Sequence, residues 1–125
     1  MENEKKTILI VEDQEDNYLL AEKILTHAGY AVEYVVDGEK ALQWCEQYPV
    51  PHGILMDISL PGINGIEVTI QLRKKENYEK VPIIAVTAHA VKEVQEKILA
   101  AGCTYYLAKP YRPQELVRIL KELVK

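Results

Sequence analysis

Gly53-Ile54-Leu55-Met56-Asp57-Ile58-Ser59-Leu60-Pro61-Gly62 is a short apolar run that ends on one carboxylate, with a Pro-Gly turn close behind. Apolar runs of this length bounded by turn residues read as strands buried on both faces. A strand of that kind has no favourable place for an acid, so Asp57 needs a role. Helix caps and turns account for most strand-end aspartates. A nucleophile or metal ligand at the carboxyl edge of a parallel sheet is the other reading, and the flanking segments select between the two.

Upstream, Thr7-Ile8-Leu9-Ile10-Val11 is a β-favouring run followed at once by Glu12-Asp13. From about Glu15 the period changes. Leu20, Ala21, Ile24, Leu25 and Ala28 recur at helical spacing, with Asp16 or Asn17 near the start and Gly29 as the stop. Residues 31–36 read as a second strand, and Glu33 implies an exposed edge. Asp37-Gly38 turns the chain into a short helix marked by Ala41, Leu42 and Cys45, which ends before Pro49.

Downstream, Asn64-Gly65 leads into a helix carrying Val68, Ile70 and Leu72, which closes in a polar run over 73–80. Residues 81–86 read as a fourth strand, with Pro82 tolerable at its start. Val91, Val94 and Ile98 mark a helix that stops at Gly102. Residues 104–107 read as a short fifth strand. Pro113 suits the first turn of a last helix, whose apolar face is Leu116, Val117, Leu120, Leu123 and Val124.

Strict alternation of strand and helix predicts an α/β fold, a doubly wound five-stranded parallel sheet with helices on both faces. The common order for five such units is 2-1-3-4-5, which puts strands 1 and 3 side by side at the switch point, where sites form outside the strands' carboxyl ends. No linker, low-complexity stretch or repeat interrupts the 125 residues, so the expectation is a single domain over 1–125.

The residues just past those strand ends are Glu12-Asp13, Asp57, Thr87 and Lys109. The edge strand offers only Asp37-Gly38. Any one of these residues occurs by chance in a βα loop, but the whole set on the right strands is hard to obtain by accident. Three clustered carboxylates repel, each pair near 4 Å by roughly 4 kcal/mol at an effective dielectric of about 20. A cation relieves this, and hard oxygen ligands without His or Cys suit Mg²⁺, with Mn²⁺ able to substitute. A carboxylate beside a divalent ion, a lysine and a hydroxyl can attack phosphorus and form an acyl phosphate.

Net charge is -4, which carries no nucleic-acid footprint, and no apolar run is long enough to span a bilayer. The charged start Met1-Glu2-Asn3-Glu4-Lys5-Lys6 does not read as a signal peptide. Cys45 and Cys103 lie far apart, each in a helical pattern, and read as buried thiols of a reducing, cytoplasmic compartment.

Four segments together resemble the receiver domain of two-component response regulators, over essentially the whole chain. They are Ile8-Leu9-Ile10-Val11-Glu12-Asp13, Leu55 to Gly62 with Gly65 beyond, Pro82-Ile83-Ile84-Ala85-Val86-Thr87-Ala88, and Ala101-Gly102-Cys103 followed by Leu107-Ala108-Lys109-Pro110. The resemblance covers single-domain, chemotaxis-regulator-like proteins and the receivers of hybrid kinases. It implies a flavodoxin-like (βα)5 fold and a phosphorylation switch rather than an enzyme. On it, Asp57 is the phospho-acceptor, and the metal ligands are Glu12, Asp13, Asp57 and the Ser59 backbone carbonyl. Lys109 contacts the phosphoryl oxygens. Thr87 swings towards the phosphate, and Tyr106 turns inward with it. The implied phosphoryl donor is a histidine kinase or histidine phosphotransfer protein, docking on the first helix around Tyr18 and Leu19. The implied output is protein contact through helix 4, strand 5 and helix 5.

His52-Gly53 departs from the family pattern, and Gly53 is expected to weaken its strand slightly. On the resemblance, Ser59 and His89 hold the two variable positions that, in the family, influence loss of the phosphoryl group. The other readings are a receiver module from a hybrid histidine kinase and a small Mg²⁺-dependent phosphatase. The second normally wants another Asp where Ser59 stands. A nucleotide-binding reading lacks a Gly-rich loop after the first strand.

Overall fold

The computed structural model describes residues 5–60, 62–89 and 91–125. Residues 1–4, which carry most of the charged start, and Pro61 of the central turn lie outside that set. Five strands, β1 (Thr7–Val11), β2 (Ala31–Val35), β3 (Gly53–Asp57), β4 (Ile83–Thr87) and β5 (Tyr105–Ala108), alternate with five helices. The helices are α1 (Glu15–His27), α2 (Gly38–Gln47), α3 (Gly65–Arg73), α4 (Lys92–Ala101) and α5 (Pro113–Leu123). All four strand pairings are parallel and the order is β2-β1-β3-β4-β5, as the alternation predicts.

Alternation along the strands divides the core in two. Leu9, Val11, Ile54, Met56, Ile83 and Ala85 face α2, α3 and α4, where they meet Ala41, Val68, Leu72 and Ile98. Ile8, Ile10, Leu55, Ile84, Val86 and Leu107 face α1 and α5, against Ala21, Leu25, Leu116 and Leu120. β3 and β4 are buried along their whole length, the pattern of central parallel strands. β2 carries exposed Glu33 on the sheet's edge.

Local chemistry sets the helix ends. Asp37 and Asn64 cap α2 and α3 by accepting hydrogen bonds from Lys40 N and Glu67 N at 2.8 and 3.0 Å. Gly102 ends α4 at φ 112°, a left-handed position where a Cβ would also press on Arg73.

Several expectations shift. β4 and β5 each begin and end later than read, and β2 ends one residue earlier. α1 begins at Glu15, next to Asp16 and Asn17 as read, and its cap residue Gln14 makes no side-chain cap bond. Leu20 is 55 % exposed and Val91 57 %, so neither joins the core. Cys103 lies in the loop after α4 rather than in a helix.

The polar run over 73–80 hides a 3-10 turn, Glu76–Tyr78, whose Tyr78 is fully buried. Arg73 makes that possible. Its Nη1 donates to the Tyr78 and Val81 carbonyls at 2.7 and 2.8 Å, and its Nε to the Gly102 carbonyl at 2.9 Å. Gly53, expected to weaken β3, leaves the space that Val124 of the C-terminal segment fills, 3.0 Å from where a Cβ would stand.

Candidate functional site

The site forms where β1, β3 and β5 end. Asp57 shares its strand alternation with Leu55, and Lys109 continues that of Leu107, so both head for the α1/α5 side of the sheet's carboxyl edge. Glu12 continues the alternation of Ile8 and Ile10 and arrives on the same side. One carboxylate oxygen each from Glu12, Asp13 and Asp57 lies within 4.8 Å of the others. Glu12 and Asp57 are buried, while Asp13 is exposed.

Each oxygen of Asp57 has a partner. Oδ1 accepts from the Ser59 backbone N–H at 2.9 Å, and Oδ2 faces Lys109 Nζ at 3.3 Å. The same ammonium stands 3.4 Å from Glu12 Oε1, so one cation serves two buried acids. The Ser59 bond also turns that backbone towards the cluster. Gly65 lets α3 approach from below, because a Cβ there would collide with the Asp57 carbonyl oxygen.

One lysine does not neutralise three carboxylates. Burial raises the Glu12 carboxyl from its ordinary 4.5 to about 7, and its hydrogen bond with Asp57 and the neighbouring Asp57 charge push the same way. The Gln14 amide and Lys109 oppose the rise without cancelling it. An acid held this far up marks a site short of positive charge. All-oxygen donors with no His or Cys in the cluster fit a hard divalent ion such as Mg²⁺.

Thr87 and Tyr106 belong to the other face. Thr87 shares the alternation of Ile83 and Ala85, towards α3 and α4, and Tyr106 packs against that same core. Thr87 is 1 % exposed, and its Oγ1 closes a turn with His89, accepting from His89 N at 3.0 Å and donating to His89 O at 3.2 Å. The Thr87 carbonyl accepts from Lys109 N at 2.8 Å, which ties β4's end to the lysine loop. The structure therefore gathers Glu12, Asp13, Asp57, Ser59 and Lys109, and places Thr87 and Tyr106 behind them on the α4 side.

Asn17 and Tyr111, which sequence reasoning missed, line a cavity at this site together with Glu12, Asp57 and Lys109. Their only sequence signals are position: one turn into α1 after Asp13, and two residues after Lys109. Burial, with the Glu12 charge nearby, pushes the Tyr111 hydroxyl up to about 12. Tyr18 is not a loose surface residue: its ring stacks on Tyr34 at 3.6 Å between centroids, and its hydroxyl donates to Glu22 at 2.9 Å.

Comparison with known proteins agrees with this geometry. The family model for the response regulator receiver domain matches residues 8–121. The polar-differentiation response regulator DivK of Brucella ovis is 37% identical over 116 residues, 93% of this chain and 94% of that protein. The receiver domain of sensor histidine kinase PA1611 from Pseudomonas aeruginosa PAO1 is 40% identical with a TM-score of 0.89, covering 97% and 98% of the two chains. That crystal structure has a magnesium ion coordinated in its active site cleft. The chemotaxis response regulator CheY4 of Vibrio cholerae is 28% identical, with a TM-score of 0.89 over 96% and 99% of the chains. Sequence match, strand order and acid cluster converge: this chain belongs to the response regulator receiver domain family of two-component signalling.

Proposed function

We propose that this receiver is a phosphorylation switch whose acceptor is Asp57, a stoichiometric partner in phosphoryl transfer rather than a turnover enzyme. One observation carries the reading: Asp57 is buried among two further acids within 4.8 Å, yet is held by Lys109 and the Ser59 amide with both oxygens engaged. A structural aspartate would not collect like charges around it.

Mg²⁺, or Mn²⁺ in its place, would be held by Glu12, Asp13, Asp57 and the Ser59 backbone carbonyl, and would supply neutralising charge for phosphoryl transfer. The chain's own residues do the rest. The Ser59 amide and Lys109 orient the Asp57 carboxylate. A carboxylate oxygen attacks the donor phosphorus, and Lys109 balances the negative oxygens that arrive. Thr87 then exchanges its turn with His89 for a bond to the phosphoryl group. That exchange loosens the loop before α4, and Tyr106 fills the space behind Thr87.

The donor on this reading is a histidine kinase or histidine phosphotransfer protein that approaches over α1. The face of α4, β5 and α5 is the output, where Val91, Leu99 and Tyr105 stand exposed at 57, 50 and 42 %. The free, buried thiols of Cys45 and Cys103 are in keeping with work in the cytoplasm. A hybrid-kinase origin is the second reading, favoured by the 40% identity to the PA1611 receiver.

The test is a titration with beryllofluoride and Mg²⁺, a phosphoryl mimic, followed by amide NMR. Shifts should appear at Asp57, Thr87, His89 and Tyr106 and along α4, and should vanish on chelation. Shifts confined to Asp57 and its loop would remove the switch.

A further inference from the structure

The edge of the sheet where the strands begin carries a second concentration of charge, opposite in sign to the acid cluster. Lys5 and Lys6 lead into β1, and Lys121 comes from the last turn of α5. With Ala28, Gly29 and Tyr30, which follow α1, they line a cavity of about 330 Å³, the lower end of the range for small-ligand sites. No acidic residue lines it among the described residues. Glu122, next to Lys121 in sequence, is paired with Arg118 at 2.9 Å and lines a separate hollow with Tyr105. Lys6 and Glu12 flank the five residues of β1, so at about 3.3 Å per residue this cavity stands roughly 20 Å from the acid cluster.

Three ammonium groups around one hollow repel one another unless an anion stands between them. Tyr30 is a second, independent sign of a ligand. It is only 5 % exposed and lines the cavity, yet its hydroxyl has no hydrogen-bond partner among the described residues. Burial holds that hydroxyl above its ordinary 10, so it stays protonated and can donate. Lys121 is already positioned over the same ring. Its Nζ lies 5.3 Å from the ring centroid and donates to the Ala28 carbonyl at 3.4 Å. That bond covers a carbonyl at the carboxyl end of α1 that would otherwise repel an anion.

The donor set narrows the ligand. Ammonium groups donate and never accept, so the cavity offers hydrogen bonds to an acceptor-rich anion. A carboxylate brings a single charge. A phosphate monoester brings about two charges and three accepting oxygens, which suit lysines acting as point charges rather than as planar forks.

We propose that this cavity binds a phosphate monoester group, held by Lys5, Lys6 and Lys121 and by the Tyr30 hydroxyl. The site is independent of Asp57 and needs no metal. Its ligand ties the start of β1 to the ends of α1 and α5, and stabilises the folded chain by mass action. The phosphate belongs either to a soluble ester or to a lipid headgroup, and the experiment has an arm for each.

The full chain is titrated with glycerol 3-phosphate and followed by amide NMR, in chelator so that no divalent ion draws phosphate to the acid cluster. Saturable shifts at Lys5, Lys6, Tyr30 and Lys121, absent at Glu12 and Asp57, are the expected result. Lys121→Gln and Tyr30→Phe should each weaken the affinity about three- to tenfold, the range a single hydrogen bond carries. Tyr30→Phe keeps the buried ring, and Lys121→Gln alters a helix surface, so both variants retain the fold. The second arm is sedimentation with vesicles of phosphatidylcholine and phosphatidic acid. Pelleting that Lys121→Gln reduces by a similar factor assigns the phosphate to a lipid. Pelleting that is absent, or unchanged in that variant, assigns it to a soluble ester. Shifts that do not saturate, shifts that chloride reproduces at equal ionic strength, or an affinity unchanged in either variant would overturn the site.

Discussion

Glu12 is the residue where the site's electrostatics can be read as stability. Its folded carboxyl titrates near 7 against an ordinary 4.5, so between those values the folded chain keeps a proton that the unfolded chain has released. The stabilising contribution is complete below 4.5 and is lost as pH rises to about 7. At its limit this is about 3 kcal/mol. In chelator, the melting midpoint should therefore fall as pH rises through that window, and Glu12→Gln should flatten the dependence. A midpoint that climbs with pH in the unaltered chain would contradict the burial argument.

Gly65 makes a second prediction. Gly65→Ala puts a methyl group against the Asp57 carbonyl and within 2.9 Å of Met56 Cγ, so it should cost about 1–3 kcal/mol by denaturant unfolding. A neutral substitution would mean that α3 can slide away from Asp57. Glu12, Asp13, Asp57 and Lys109 were legible in the sequence because strand ends converge at one sheet edge. Asn17 and Tyr111 were not, because they come to one cavity only through the tertiary placement of α1 and the loop before α5, which no single segment encodes.

At the scale of elements, α4 has unequal ends. Its last turn is fastened through Arg73, which reaches Gly102 O, Tyr78 O and Val81 O. Its first turn begins at Val91 with no side-chain cap, close to the Thr87–His89 turn. Arg73→Met should strip three carbonyls of their donor and cost about 2–4 kcal/mol. Hydrogen exchange should quicken over 76–83 and 102–104 ahead of the rest of the chain. Uniform exchange would show that the clasp does not hold those segments.

This clasp also explains why the run over 73–80 misled sequence reading. Arg73, Lys74, Lys75, Glu76 and Glu79 look like solvated polarity, but Arg73 turns inward to satisfy backbone carbonyls and Tyr78 follows it into the core. The helical spacing of Leu20 misled in the opposite direction, since periodicity cannot tell a residue over the core from one beside a cavity mouth.

Across the whole molecule, the sheet separates the acid cluster from Thr87 and Tyr106. Glu12, Asp57 and Lys109 rise on the side of α1 and α5, where a donor would arrive, and Thr87 and Tyr106 lie on the side of α4. The order β2-β1-β3-β4-β5 was legible because it is the common order for five strictly alternating strand–helix units. Which side each group takes was not legible, because it depends on strand register.

The most direct test of the account is covalent. The protein is incubated with Mg²⁺ and a small acyl-phosphate donor, and its intact mass is measured alongside Asp57→Asn and a chelated sample. One added phosphoryl group, labile to hydroxylamine and absent from both controls, is the predicted result. An adduct that persists in Asp57→Asn, or no adduct in the unaltered protein, would contradict it.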